Sequence, residues 1–221
     1  MKLFISAISK FVLGAVLVGA LLFLPAWTLD YQGAWLFMAL LFVPMFIAGI
    51  VMLVKNPALL ESRLQAKEKE AEQSLVVKLS GLMFLAGFVV AGLDHRFSWS
   101  HVPSPVVIGA SVVFIAAYVL YAEVLRENTY LSRTIGVKDG QKVISTGLYG
   151  IVRHPMYFAT LFLFLAMPLI LGSLWALLIF LMYPFIIVKR LLGEEKVLTR
   201  ELAGYAEYTK KVKNRLIPFI W

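Results

Sequence analysis

The chain of 221 residues contains no cysteine. That absence removes a disulfide framework, a thiolate nucleophile, a cysteine-ligated metal and a cysteine-borne lipid anchor from consideration. Charge is scarce too: Asp, Glu, Lys and Arg make up 15% of the residues, against about 25% in soluble domains. Hydrophobic residues reach 61%, where soluble proteins hold roughly 45–50%, and the mean hydropathy is +0.84. So apolar a chain can neither stay solvated as a disordered coil nor cover a soluble globule with polar side chains. Collagen and coiled-coil periodicities are missing as well, and no internal repeat stands out. Acid is the scarcer charge, 13 residues against 21 basic ones, for a formal net charge of +8.

What is present is a series of charge-free apolar runs, from Phe11 to Leu29, Ala34 to Val54, Leu79 to Leu93, Val106 to Leu120 and Tyr157 to Val188. A span needs about 20 residues. The first run is longer than the h-region of a secretory signal and lacks a small-residue cleavage site, so it reads as a retained anchor. The last run would measure about 48 Å as one helix. It carries Pro168 and Gly172-Ser173 near its middle, which predicts a tight helical hairpin.

The basic residues support that choice. With a hairpin, 20 of the 21 fall on one side and only Arg96 lies opposite, as the positive-inside tendency requires. The expectation is an all-α polytopic membrane protein with about six crossings, a C-terminal helical hairpin and a cytoplasmic amphipathic C-terminal helix. Both termini and the active site are placed in the cytoplasm, with the inner or plasma membrane of a prokaryotic cell as the expected location. The net charge is then explained by orientation and anionic lipid, without nucleic acid. The chain reads as one membrane domain, residues 1–221, with N-terminal helices over 1–125 and a cofactor-binding catalytic half over 126–221.

The densest group of chemically capable residues is Gly147-Leu148-Tyr149-Gly150-Ile151-Val152-Arg153-His154-Pro155-Met156-Tyr157, where a polar loop enters the hairpin. His154-Pro155 marks a helix start, because Pro at the first position needs no N–H and is preorganised. Arg153 offers a planar fork for a carboxylate or phosphate, His154 can donate or accept near neutral pH, and Gly147 and Gly150 allow close backbone approach. The same residues also fit an interfacial helix start, with Arg153 snorkelling and Tyr149 and Tyr157 in an aromatic belt. A second group follows the hairpin: Arg190, Glu194, Glu195 and Leu198, then Gly204-Tyr205, Tyr208 and Ile217-Pro218. Adjacent helical residues point about 100° apart, so only one of Glu194 and Glu195 is expected to face the protein. Weaker candidates are Asp94, His95 and His101 as a metal site, for which the ligand set is incomplete, and Glu123, placed to point into the bundle. Asn56-Pro57 through Arg63 reads as an interfacial amphipathic turn of helix.

Taken together, the G-x-Y-x-x-x-R-H-P-x-Y run, the hairpin, the paired Glu and the spaced Gly204, Tyr205, Tyr208, Ile217 and Pro218 resemble the isoprenylcysteine carboxyl methyltransferase family and its phospholipid methyltransferase relatives. The resemblance covers roughly residues 126–221. One departure is Ala159, where many members carry Gly. The resemblance implies S-adenosylmethionine as cofactor, bordered by Gly147, Tyr149, Val152, His154, Pro155, Tyr157, Glu194 and Glu195, with no metal. Arg153, His154 and Glu195 are the implied reacting-site groups. It implies a lipid-like methyl acceptor, first an isoprenylcysteine-type carboxylate oriented by Arg153, alternatively a phospholipid amine or a small thiol, with no obligate protein partner. An NADPH-dependent membrane sterol or enone reductase is the alternative from another class. Against it, the chain lacks the Asn and Glu those enzymes carry after His-Pro.

Overall fold

The structure, a computed structural model, describes residues 2–64, 71–132 and 134–221, and no strand occurs among them. Lys67, Lys69 and Arg133, used above in the charge count, lie outside the described residues. Helices α1 (Lys2–Ala26) and α2 (Gln32–Lys55) are followed by the short α3 (Pro57–Leu64), then by α4 (Ala71–Phe97) and α5 (Ser104–Glu127). A loop with a 3-10 turn at Gly147–Gly150 leads to α6 (Pro155–Ile170), α7 (Leu174–Phe180), α8 (Tyr183–Glu201) and α9 (Tyr205–Lys211). Four helices are individually long and apolar enough to cross a membrane, and α7 with α8 forms a fifth such segment, Leu174–Glu201.

The expected hairpin is present, with its turn at the predicted Gly172-Ser173 and Pro168 inside the last turn of α6. Gly172 adopts φ +78°, a left-handed conformation that costs glycine little. The Ser173 Oγ then accepts from the Ala176 amide at 3.0 Å and caps α7. The break between α7 and α8 lies just before Pro184, whose ring and missing N–H do not continue a helix. Helix α6 has 16 residues, about 24 Å of rise against a hydrocarbon core of ~30 Å. Its N-terminus at Pro155 therefore lies below the membrane surface if its other end reaches the opposite face.

Packing centres on α4, which lies against α1, α7 and α8 while α5 lies against α6. The core is aromatic: Phe37, Phe88, Phe114 and Phe180 are buried, and Phe84 and Phe164 meet edge to face at 4.8 Å. Membrane helices gain little from hydrophobicity against one another and rely on close approach at small residues. Gly92 provides this on α4, since a Cβ there would meet the Leu22 carbonyl oxygen at 2.5 Å.

Several side chains depart from expectation or serve the fold. Glu123 turns outward and pairs with Arg126 at 2.6 Å instead of pointing into the bundle, because the partner three residues on is within reach along the same face. Asp94 is buried and accepts from the Ser100 amide and hydroxyl and from the Ser173 hydroxyl at 2.8, 2.6 and 2.5 Å, so it fastens the hairpin turn to the outer loop. His95 stacks on Tyr31 at 4.0 Å, and His101 is exposed. Helix α3 is more than an interfacial element: Ser62 donates to the Leu131 carbonyl at 3.0 Å and Arg63 to the Ser132 carbonyl at 3.0 Å. The N-terminal half thus buttresses the loop that precedes α6.

Candidate active site

The loop 128–144, the 3-10 turn, the start of α6, the C-terminal half of α8 and α9 enclose a cleft of about 740 Å³, counting its open mouth. Tyr149, Arg153, His154, Tyr157 and Glu194 line it, as do Tyr205 and Tyr208. Gly147, Val152, Pro155 and Glu195 are not among its lining residues.

Local chain geometry explains the arrangement. Gly147 has φ +46°, and its face is occupied by the Glu127 carboxylate, which accepts from the Thr146 hydroxyl at 2.8 Å and the Leu148 amide at 3.1 Å. The glycine therefore admits a neighbouring side chain. The turn presents Tyr149 to the cleft, with its hydroxyl accepting from Asn128 at 3.0 Å. At the helix start, the Arg153 and His154 amides donate to the Asn214 and Arg215 carbonyls, both at 2.9 Å. This stitches the C-terminal segment beside the R-H-P run.

Both adjacent carboxylates are engaged, which corrects the expectation that only one faces the protein. Glu195 faces a cationic cluster, with Arg153 Nε at 2.7 Å, Arg215 Nε at 3.0 Å and His154 Nε2 at 3.3 Å. Glu194 faces the cleft on the neighbouring side of α8. The physical reason is the C-terminal segment, which folds back over α8 and covers a face that an isolated helix would have left in water. Arg153 is likewise not a fork held open for a ligand. Its side chain is 7% exposed, ion-paired with Glu195, and its Nη1 donates to the Val212 carbonyl at 3.2 Å near the end of α9.

Two polar atoms on this wall are left over. Glu194 Oε2 and the Tyr205 hydroxyl are buried and have no hydrogen-bond partner among the described residues. His154 Nδ1 stands 3.8 Å from Glu194 Oε2, too long for a hydrogen bond. Unsatisfied buried polar groups cost about 1–3 kcal/mol each, which a ligand with donors here would recover. The phenols are held neutral: burial pushes Tyr149, Tyr205 and Tyr208 well above the ordinary tyrosine value, with the charges of Glu195 and Glu194 adding to the effect at Tyr205. The Tyr208 hydroxyl donates to the Tyr149 carbonyl at 2.7 Å, and the Leu198 and Leu202 side chains supply an apolar wall.

Sequence reasoning had singled out Tyr205 and Tyr208 without placing them in the site. It missed Asn128, Glu127 and Arg215 altogether. Their signal is weak, because each acts through partners 19 to 21 positions away.

The fold is that of a polytopic helical membrane protein, with a polar cleft where α6 begins and α8 ends. Residues 103–204, a little under half of the chain, match the phospholipid methyltransferase family, in line with the resemblance carried by the R-H-P motif and the paired Glu. No curated protein matches the chain as a relative.

Proposed function

We propose that this membrane methyltransferase takes its methyl group from S-adenosylmethionine and delivers it to a lipid-like acceptor. The observation that carries the reading is the pair of buried polar atoms without a hydrogen bond, Glu194 Oε2 and the Tyr205 hydroxyl, on the wall of a cleft built largely from the matched segment. A cofactor with an ammonium group and ribose hydroxyls has donors for both. Glu194 and Tyr205 would hold those donors, while Tyr149, His154 and Tyr157 would border the remainder. Gly147, Val152 and Pro155 set the backbone behind them, and Glu195 fixes Arg153 and His154.

When bound, S-adenosylmethionine supplies an electrophilic methyl on a sulfonium. The protein's part is to position and dry the reacting groups, since orientation supplies most of the acceleration in such a displacement. An isoprenylcysteine-type carboxylate, the acceptor put first by resemblance, needs a cation beside it. Arg153 is spent on Glu195 and α9, so Lys142 on the cleft wall is the residue placed to serve. An amine acceptor needs a base instead, for which His154 is placed. The recessed start of α6 and the apolar hairpin beside it favour an acceptor whose tail stays in lipid.

Calorimetry on the purified protein tests the cofactor. S-adenosylmethionine should bind and NADPH should not. Binding of NADPH with no affinity for S-adenosylmethionine would overturn the proposal in favour of a reductase.

A further inference from the structure

Helix α8 carries a second functional face, turned away from the cleft. Glu194 and Leu198 point one way, into the cleft. Lys189, Leu192, Gly193, Lys196, Thr199 and Arg200 recur at helical spacing on another face, where they line an open groove closed on one side by Arg215. Four cations thus meet one carboxylate, Glu195. Arg215 is held to Glu195 at 3.0 Å and Arg200 pairs with Glu201 at 2.5 Å, while Lys189 and Lys196 are exposed.

The surroundings of the groove are apolar on two sides. Toward the membrane interior α8 presents Phe185, 73% exposed, and Leu181 and Met182 are exposed just before it. Beside Arg215, the C-terminal turn exposes Phe219 at 90% and Ile220 at 77%. A water-facing turn has no use for two bare apolar side chains, whereas an interfacial one buries them among acyl chains. The face therefore passes from lipid-facing apolar residues to cations within a few turns of helix, the order in which a phospholipid presents acyl chain and phosphate.

We propose that this groove binds the headgroup of an anionic phospholipid. Lys189 and Lys196 meet its phosphate, Arg215 stands at the edge, and its acyl chains run along Phe185 and the residues above it. The site is separate from the cleft and does not depend on the acceptor or cofactor assigned there.

The test is native mass spectrometry of the detergent-purified full chain after equilibration with phosphatidylglycerol or phosphatidylcholine of the same acyl composition. The wild-type protein should retain phosphatidylglycerol through delipidation in preference to phosphatidylcholine. K189Q/K196Q should lose that preference by roughly tenfold or more. K210Q/K211Q, which removes the same charge from α9, should keep it. Equal retention of both lipids, or an equal loss in the two double variants, would mean diffuse surface charge and overturn the site. Displacement of the bound lipid by inorganic phosphate at comparable concentration would make it a soluble-anion site and overturn the lipid assignment. Circular dichroism of both variants shows that each remains helical, so a loss of lipid is read on folded protein.

Discussion

Replacing Glu194 by glutamine preserves shape and removes a charge at the cleft wall, where its Oε2 has no protein hydrogen bond to lose. The expected result is S-adenosylmethionine affinity weakened by about 1.5–3 kcal/mol, read by calorimetry, with the thermal midpoint nearly unchanged. The same substitution at Glu195 should behave oppositely. It strands Arg153, whose side chain is 7% exposed, and loosens Arg215 and His154 together. Breaking a buried ion pair from one side costs ~3–5 kcal/mol, so Glu195→Gln should lower the thermal midpoint first. If the two variants lose affinity and stability in equal proportion, the division of labour between these neighbours is wrong. The tyrosines add a pH dependence. Their folded values lie above the unfolded value of 10.0, so the stability that comes with their burial is complete below about pH 10. It is lost as pH rises past 10 toward the folded values. Thermal melts across alkaline pH should show this fall, and Tyr149→Phe/Tyr208→Phe should flatten it.

At the scale of elements, α9 is a seven-residue helix, too short to be stable alone. It is held by the Tyr208 hydroxyl on the Tyr149 carbonyl, by Arg153 on the Val212 carbonyl and by Tyr205. Tyr208→Phe leaves a buried carbonyl unpaired at a cost of about 1–3 kcal/mol. Amide exchange over 205–211 should accelerate while α4 stays protected, and unchanged exchange would remove α9 from the cleft's architecture. Much at this scale was legible in the sequence. Charge-free runs give the long helices because lipid imposes their length, and His154-Pro155 and Gly172-Ser173 mark boundaries through proline and glycine stereochemistry. What was not legible is what closes over them. A helical wheel leaves one of Glu194 and Glu195 in water; only the return of residues 212–216 along Arg153 and His154 buries the second. Arg153 read as a ligand fork for the same reason, since nothing local announces that Glu195 and the α9 carbonyls occupy it.

At the scale of the whole molecule, the six-crossing reading makes the number of spans even, which puts the two ends on the same side. By the positive-inside tendency, the basic residues make the cytoplasm the side expected for both. Cytoplasmic reporters joined at either end should both be active. One active and one inactive would mean an odd number of spans and would separate α6 from α7 and α8 as a hairpin. With both ends in the cytoplasm the cleft would face it too, where a soluble cofactor is available, and a recessed start of α6 would let a lipid-borne acceptor reach it laterally. The most direct measurement is transfer itself. Purified protein is incubated with methyl-labelled S-adenosylmethionine and a membrane lipid extract, and the label is followed into the organic phase with Glu194→Gln as the control. The account predicts labelled lipid from the wild-type protein and at least a tenfold loss in the variant, in line with ~1.5–3 kcal/mol of binding energy. Label confined to water-soluble products, or equal labelling by the variant, would contradict it.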